Sequence, residues 1–212
     1  FPHMTAWGNI TYGPKVRGWS LEEIKPLALE MLEMIKVSTR SDAFPSELSS
    51  GMQQKIAVAR ALTSRAEILL LDEPLSALDL KLRQQMQVEL VALQRRLKHT
   101  FIFVTHDQVE AMSMGDKIAV LNEGRIIQIG TPYEIYNQPN SVFVAGFVGS
   151  PAMNLLKATL SNDRVTIGDK AFSVVLSAEH RTRLGNHSGD ITFGFRAENV
   201  ALVNQGSEAF VH

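Results

Sequence analysis

Two short runs of apolar residues predict neighbouring strands of a parallel sheet. Residues 68–71 are Ile-Leu-Leu-Leu, and residues 100–104 are Thr-Phe-Ile-Phe-Val. Runs of this length and composition are typical of parallel strands that are buried on both faces. The first run leads into Asp72 and Glu73, and the second leads into a Thr-His-Asp sequence with His106 at its centre. Because α/β proteins bind ligands at the C-terminal edge of such a sheet, these three residues are candidates for a functional site.

A helix with a small, polar start is predicted over residues 48–62. Ser49, Ser50 and Gly51 lead directly into Met52 and an amphipathic helical pattern. The free N–H groups at the start of a helix, together with the positive end of its dipole, form a potential anion site. An ordinary capped amphipathic helix fits the same residues, so this segment alone leaves both interpretations open.

The spacing of apolar residues predicts further elements. Residues 1–20 are rich in Gly and Pro and are expected to be irregular. A capping box at residues 20–23 starts a helix that reaches about residue 36. Residues 80–98 carry Leu and Met at spacings of three and four, which predicts a long helix whose basic residues form a solvated face. Residues 117–129 predict a hairpin closed by Asn-Glu-Gly. The buried stripe of the first helix is expected to consist of Leu27, Leu29, Met31, Leu32 and Ile35.

The pattern changes near residue 153, where short alternating strands begin. Turn residues at 162–163 and 168–169 separate the strands. The predicted strands cover residues 154–160, 164–167, 171–175 and 191–195. The pattern therefore predicts two domains, an α/β domain over residues 1–152 and a small β domain over residues 153–212.

Composition narrows the class of protein. The 212 residues are 45% hydrophobic and 20% charged, which is ordinary for a globular protein. A net charge of −1 gives no basic field that would favour nucleic acid. The sequence has no cysteine, which fits a reducing cytoplasm. No apolar stretch approaches the ~20 residues that span a bilayer, so any membrane role is expected to depend on partner proteins.

The order and spacing of these motifs resemble the ATP-binding cassette (ABC) ATPases. Residues 48–52 (LSSGM) resemble the signature loop, which is usually L-S-G-G-Q. Residues 68–73 resemble the Walker B strand with its catalytic glutamate, and residues 76–79 (SALD) resemble the D-loop. His106 resembles the switch histidine. The phrases FPHMT, THDQVEAM and GTPYEIYNQP are similar to one branch in particular, the bacterial importer ATPases for sugars, glycerol phosphate and polyamines.

This resemblance implies a fold and a division of the chain. Residues 1–152 are expected to form part of an α/β nucleotide-binding domain, with its helical subdomain at about residues 15–50. Residues 153–212 are expected to form the start of a TOBE domain, which is a small all-β, OB-like domain. The phosphate-binding motif G-x-x-x-x-G-K-[ST] does not occur in the sequence, and by the resemblance it precedes residue 1. These 212 residues alone are therefore expected neither to bind nor to hydrolyse ATP.

The resemblance also implies the chemistry of the first candidate residues. ATP hydrolysis needs a positioned water, a base, a metal ion and stabilisation of charge on the γ-phosphate. Glu73 is expected to act as the base or to orient the water. Asp72 is expected to hold Mg²⁺ through a water molecule. His106 is expected to hydrogen-bond the γ-phosphate.

A second group of residues is expected to act across a dimer of cassettes. By the resemblance, the signature residues Ser49, Ser50, Gly51 and Met52 are expected to bind the ATP held by the partner protomer, and Asp79 of the D-loop is expected to lie at the dimer seam. The sequence departs from the family here, since Ser50 replaces a usual glycine and Met52 a usual glutamine. These changes are expected to weaken the nucleotide sandwich, because one adds a Cβ near phosphate and the other removes an amide donor.

The partners follow from the same resemblance. A homodimer or paired cassette is expected at the cytoplasmic face of the cell membrane, together with transmembrane permease subunits. Residues 1–20 and the helical subdomain would contact the permease, a solute-binding protein would be an indirect partner, and no nucleic acid is expected.

Two alternatives and the identity of the solute remain open. The chain could be a non-catalytic regulatory or assembly module derived from a cassette. It could also be an ABC ATPase of DNA repair or translation, which the β domain and the lack of basic excess oppose. Residues 80–97 look most like polyamine importers, whereas residues 143–154 look more like the sugar and glycerol-phosphate group.

Overall fold

Helices dominate the first of two units in the computed structural model, which describes residues 1–64, 66–168 and 172–200. This unit comprises Phe1–Glu110, and the second unit begins at Ala111. The longer helices of the first unit are α1 (Ala6–Val16), α2 (Leu21–Met34), α3 (Ser50–Leu62) and α4 (Leu80–Leu97). This division does not test the predicted domain limits. The boundary at residue 152 and the helical subdomain at 15–50 stay predictions.

Helix α1 contradicts the prediction that residues 1–20 are irregular. The Thr5 hydroxyl accepts a hydrogen bond from the Gly8 N–H at 3.1 Å and caps the helix. Ile10 is fully buried, and its carbonyl accepts a hydrogen bond from the Thr63 hydroxyl at 2.7 Å. Pro14 lies near the C-terminal end of the helix. Packing against the end of α3 therefore outweighs the poor intrinsic helix propensity of Gly and Pro.

Helix α2 starts as predicted, and the predicted Met31, Leu32 and Ile35 are buried. Ser20 and Glu23 form the predicted capping box. Leu29, however, is 49% exposed, so its predicted burial is wrong. The helical period of 3.6 residues places Ile24 and Ala28 on the same inner face as Met31 and Leu32. Four of the residues along the helix are buried, namely Ile24, Ala28, Met31 and Leu32.

The two predicted parallel strands pair directly. Strand β1 (Ile68–Asp72) lies parallel to β2 (Thr100–Val104), with Asp72 opposite Val104. Helix α4 connects them, as expected of a crossover between parallel strands. The expectation that β1 is buried on both faces is wrong for the described residues, since Leu69 is buried while Leu70 is 71% exposed. Only one face of this two-stranded sheet is covered within the described part of the chain.

The second unit begins with a helix and the predicted hairpin. Helix α5 (Gln108–Met114) crosses the division between the units. Strands β3 (Ile118–Asn122) and β4 (Arg125–Gly130) pair antiparallel. Glu123 and Gly124 at the turn have φ values of 48° and 73°, which fit a hairpin turn that needs two left-handed residues. The predicted hairpin is confirmed.

Two short helices follow the hairpin. Helix α6 (Pro132–Asn137) begins with the capping box of Thr131 and Glu134, and α7 (Val142–Phe147) is capped by Ser141. The Thr131 backbone N–H and hydroxyl both donate to Glu134 and lower the pKa of that carboxyl. The hairpin and both helices share one core, formed by Val120, Ile135, Val144 and Val148.

The predicted β domain contains the strands β5 (Asn154–Ser161), β6 (Arg164–Ile167), β7 (Phe172–Val175) and β8 (Gly189–Phe195). They form an antiparallel sheet with strand order β7-β6-β5-β8. Their limits agree with the prediction to within about two residues, except that predicted residue 171 lies outside the described residues. Helix α8 (Ala178–Leu184) was not predicted, and none of its residues is buried.

Arg196 joins the end of β8 to the segment around α6 and α7. Its side chain is buried, lies 3.9 Å over the Tyr136 ring, and donates to the carbonyls of Tyr136 and Val148. Gly149 has φ of +116°, and a Cβ there would lie 2.5 Å from Arg196 Nη1. The Tyr136 hydroxyl donates to Glu198, which lowers the pKa of Glu198 and raises that of Tyr136. These contacts connect the sheet to the segment that precedes it.

Candidate functional site

The structure brings Glu73 and His106 together beyond the ends of β1 and β2. The Glu73 N–H donates to the Val104 carbonyl at 2.9 Å and extends the parallel pairing by one step. His106 follows two residues after Val104, and its Nδ1 lies 3.2 Å from Glu73 Oε1. The side chain of His106 is 74% exposed, and that of Glu73 is 49% exposed. The pair is therefore preorganised by two neighbouring strands and open to a ligand.

The backbone at Glu73 is unusual. Its φ of +42° lies in the left-handed region, which is sparsely populated by residues other than Gly, Asn and Asp. The Ser76 hydroxyl donates to the Glu73 carbonyl at 2.9 Å, and Leu75 within the same turn is fully buried. A buried anchor thus holds Glu73 in a conformation of the kind that clusters at functional sites.

Asp72 is the last residue of β1 and is exposed next to this pair. The described residues contain no group of three His, Cys, Asp or Glu side chains that could hold a metal ion by itself. Mg²⁺ commonly keeps several waters and binds through one or two carboxylates plus substrate phosphates. A single exposed carboxylate at the strand end therefore fits the predicted role of Asp72, in which it holds Mg²⁺ through water.

The loop that carries His106 is fixed on both sides. The Asp107 N–H donates to the Thr105 hydroxyl at 3.0 Å, and that hydroxyl donates to Glu110 Oε2 at 2.6 Å. Asp107 Oδ1 accepts from the Val109 N–H at 2.8 Å, so Asp107 caps α5. Glu110 is buried, and its bond to Thr105 was not anticipated. These bonds fix the loop backbone while the imidazole of His106 stays exposed.

The signature residues begin α3. The Ser49 hydroxyl accepts from the Met52 N–H at 3.4 Å and caps the helix. Ser50 is exposed and Met52 is half-buried. Gly51 is buried, and a Cβ there would lie 2.9 Å from both δ carbons of Leu82 in α4. A side chain at position 51 would therefore require Leu82 to shift, whereas Ser50 is exposed.

The last residue of the D-loop, Asp79, bonds the backbone of the same Leu82. Asp79 caps α4 because its Oδ1 accepts a hydrogen bond from the Leu82 N–H at 3.0 Å. Leu82 thus contacts both the first turn of the signature helix and the last residue of the D-loop. Further along, Lys55 of α3 and Glu89 of α4 form an ion pair of 2.6 Å, which sequence reasoning did not identify. The predicted signature and D-loop residues are therefore neighbours within this unit.

An open groove lies beside the N-terminal part of the first unit. It has a volume of about 320 Å³ and lies between the start of α1, the turn near Pro45, and α3. Arg60 lies 4.1 Å over the Phe1 ring at its edge. The groove is lined by apolar and polar side chains that include Phe1, Ala6, Leu48, Gln53, Ile56 and Arg60.

Arg83 is a site residue that sequence reasoning missed. It was expected to be one of the basic residues on the solvated face of α4, but its side chain is only 27% exposed. Its Nη1 lies 3.6 Å from Asp107 and its Nε lies 3.9 Å from Glu110. The sequence signal for this location is the spacing of four residues between Asp79 and Arg83, because residues at that spacing lie on one face of a helix.

Two family models match the chain. Residues 1–76 match the model described as ABC transporter, and residues 149–200 match the model described as MalK OB fold domain. Residues 1–76 therefore belong to the ABC transporter family, and an OB-fold domain of the MalK type follows in the same chain. These matches confirm the predicted α/β cassette and the predicted OB-like domain. No helix among the described residues is both long enough and apolar enough to cross a membrane.

Individual relatives belong to the importer branch that the sequence predicted. The chain is 42% identical to the sn-glycerol-3-phosphate import ATP-binding protein UgpC of Psychromonas ingrahamii, over 97% of the chain and 53% of that protein. It is 42% identical to the xylose/arabinose import ATP-binding protein XacK of Haloferax volcanii, over 100% of the chain and 59% of that protein.

A third relative has a different solute. The spermidine/putrescine import ATP-binding protein PotA of Acidothermus cellulolyticus is 52% identical over 76% of the chain and 42% of that protein. The chain thus spans roughly half the length of the curated relatives that it matches. The roles assigned above to Asp72, Glu73, Asp79, His106 and the signature residues stay predictions.

Proposed function

We propose that these residues belong to an ATP-hydrolysing subunit that energises a solute importer. The observation that carries the proposal is the contact between Glu73 and His106, 3.2 Å apart beyond the ends of two parallel strands. An accessible carboxylate paired with an imidazole at this sheet edge is suited to position a water against a phosphate group. Relatives named as import ATP-binding proteins support the same activity.

In the proposed reaction, Glu73 orients the attacking water or accepts its proton. His106 directs Nδ1 toward Glu73, which leaves Nε2 free to hydrogen-bond the γ-phosphate. Mg²⁺, when bound, supplies charge neutralisation on the phosphate oxygens. Asp72 would hold water ligands of that ion, because its side chain is exposed at the end of β1.

The proposed subunit works as a pair of cassettes. Ser49, Ser50, Gly51 and Met52 contact the ATP of the partner protomer, and the free N–H groups at the start of α3 favour an anion there. Asp79 lies at the seam between the protomers. Closure around ATP then drives the attached membrane subunits between two states.

The remaining partners are proposed on the same basis. The groove beside Phe1 receives a segment of a transmembrane permease subunit, and a solute-binding protein acts through that permease. The complex lies at the cytoplasmic face of the cell membrane. The relatives are named for glycerol phosphate, pentoses and polyamines, so the proposal is limited to a small polar solute.

The test is ATP turnover by a subunit of full family length that contains these residues. Wild-type protein should release phosphate in a Mg²⁺-dependent way. Since a hydrogen bond to a charged group is worth about 1.5–3 kcal/mol, His106→Ala should lower kcat by about 10- to 100-fold. The exposed His187 gives a matched control, and His187→Ala should keep wild-type turnover. ATP binding by wild-type protein without turnover would instead favour the non-catalytic module.

A further inference from the structure

Arg83 connects two loops that the proposed function uses for different purposes. It lies in the first turn of α4, four residues after Asp79, and its backbone N–H donates to the Asp79 carbonyl at 2.8 Å. Its Nη2 donates to the Leu78 carbonyl at 3.1 Å. The side chain therefore holds the end of the D-loop, immediately before Asp79.

The other side of the same guanidinium faces the loop of the switch histidine. Nη1 lies 3.6 Å from Asp107 Oδ2, directly after His106, and Nε lies 3.9 Å from Glu110 Oε1. The Glu110 side chain is 5% exposed. A carboxylate buried to this degree is costly without a nearby positive charge. Loss of the Arg83 charge should therefore cost more free energy here than at an exposed ion pair.

Thr105 completes the connection to the reacting residues. Its hydroxyl donates to Glu110 Oε2 at 2.6 Å and accepts from the Asp107 N–H at 3.0 Å. These two bonds fix the backbone on both sides of His106. A displacement of Arg83 would therefore reach His106 through Asp107 and Glu110, and a displacement of His106 would change its 3.2 Å contact with Glu73.

We infer that Arg83 is a positioning residue that couples the D-loop to the switch histidine. It aligns His106 with Glu73 only while Leu78 and Asp79 are in place, so that hydrolysis depends on how the D-loop sits at the dimer seam. The rigid fork of the guanidinium suits this role, because it donates in several fixed directions at once. This inference rests on the proposed function. It adds that a residue of the same protomer, Arg83, regulates the site formed by Glu73 and His106.

The test compares steady-state ATP turnover of full-length variants. Arg83→Met keeps most of the aliphatic stem and removes the charge. It should lower kcat by about 10- to 100-fold, since a misplacement of about 1 Å away from the chemistry can cost 10²-fold. The KM for ATP should change by less than about threefold, because Arg83 is not expected to touch nucleotide. Arg83→Lys should recover only part of kcat, because an ammonium cannot reproduce the fork.

Matched variants separate positioning from general destabilisation. Arg95 is an exposed arginine on the same helix, and Arg95→Met should keep wild-type kcat. Asp107→Asn keeps an oxygen that can accept from the start of α5 but removes the charge facing Arg83, so it should also lower kcat. This second variant decides the matter if thermal melting shows that Arg83→Met does not fold.

A double-mutant cycle tests the route through His106. In a His106→Ala background, Arg83→Met should lower kcat by no more than about twofold, because residues that act as a unit are not additive. Full multiplication of the two effects, or wild-type kcat for both Arg83→Met and Asp107→Asn, would overturn the inference while leaving the ATPase intact. Wild-type protein without turnover would overturn the proposed function and this inference with it.

Discussion

Replacement of Glu73 by glutamine separates chemistry from stability. The substitution keeps the size of the side chain and removes its ability to take a proton. General-base catalysis contributes about 10²–10⁴-fold, so kcat should fall by that factor, equivalent to about 3–5 kcal/mol in the activation free energy. ATP binding should persist, and the variant should remain dimeric in ATP because the bound nucleotide is not consumed.

The structure predicts that the same change has little effect on folding. The contacts that hold Glu73 are made by its backbone, through the Val104 carbonyl and the Ser76 hydroxyl, and glutamine keeps both. The side chain contributes an exposed contact with His106, and exposed ion pairs are worth about 0–1 kcal/mol. A loss of that size shifts the melting temperature by no more than about 4 °C in a domain of this length.

The assay combines phosphate release, size-exclusion chromatography in ATP and thermal melting on the full-length protein. The control is Glu123→Gln, because Glu123 is also an exposed glutamate with left-handed backbone, with φ of 48°. It should keep both turnover and melting temperature. Turnover of Glu73→Gln within a few-fold of wild type would remove Glu73 from the reaction. A large loss of melting temperature would show instead that the side chain has a structural role.

Two other predictions concern the signature and the packing of α1. The double substitution Ser50→Gly with Met52→Gln should tighten ATP-driven dimerisation by roughly tenfold or more, the value of one recovered hydrogen bond to phosphate. Analytical ultracentrifugation against ATP concentration measures the dimer fraction of both proteins. Equal or weaker dimerisation of the double mutant would mean that the loop with Ser50 and Met52 is an effective alternative. Thr63→Val should lower the free energy of unfolding by about 1–3 kcal/mol in chemical denaturation, because it leaves the buried Ile10 carbonyl without its donor. Thr182→Val, at an exposed hydroxyl, should change it by less than about 0.5 kcal/mol.

Elements with strong local patterns were predictable from the sequence. The parallel strands, the capping box of α2 and the hairpin around Gly124 each depend on residues that are close in the chain. Their positions after the two strands likewise place Glu73 and His106 at the same edge of the predicted sheet. Such features follow from backbone preferences and apolar periodicity, which a single sequence displays directly.

The remaining features depend on contacts between distant residues. Helix α1 forms despite its glycines and proline because Ile10 packs against the end of α3. Helix α8 buries no residue and so has no apolar stripe to predict it. The role of Arg83 arises from Asp107 and Glu110, which follow it by more than 20 residues and approach it only through the pairing of β1 and β2. Local sequence patterns do not predict contacts between residues so far apart in the chain.

The buried Arg196 has a consequence for the engineering of chimeras. A splice at the predicted domain limit near residue 152 would take Arg196 from one parent and both Gly149 and Tyr136 from another. Gly149 leaves the space that Arg196 Nη1 occupies, and the Tyr136 ring and carbonyl hold the same guanidinium. A bulkier residue at position 149, or a shorter one at position 196, would leave a clash or an unfilled site at the graft. Exchange of the OB domain between relatives should therefore transfer these three positions as one set, with the crossover placed upstream of α6.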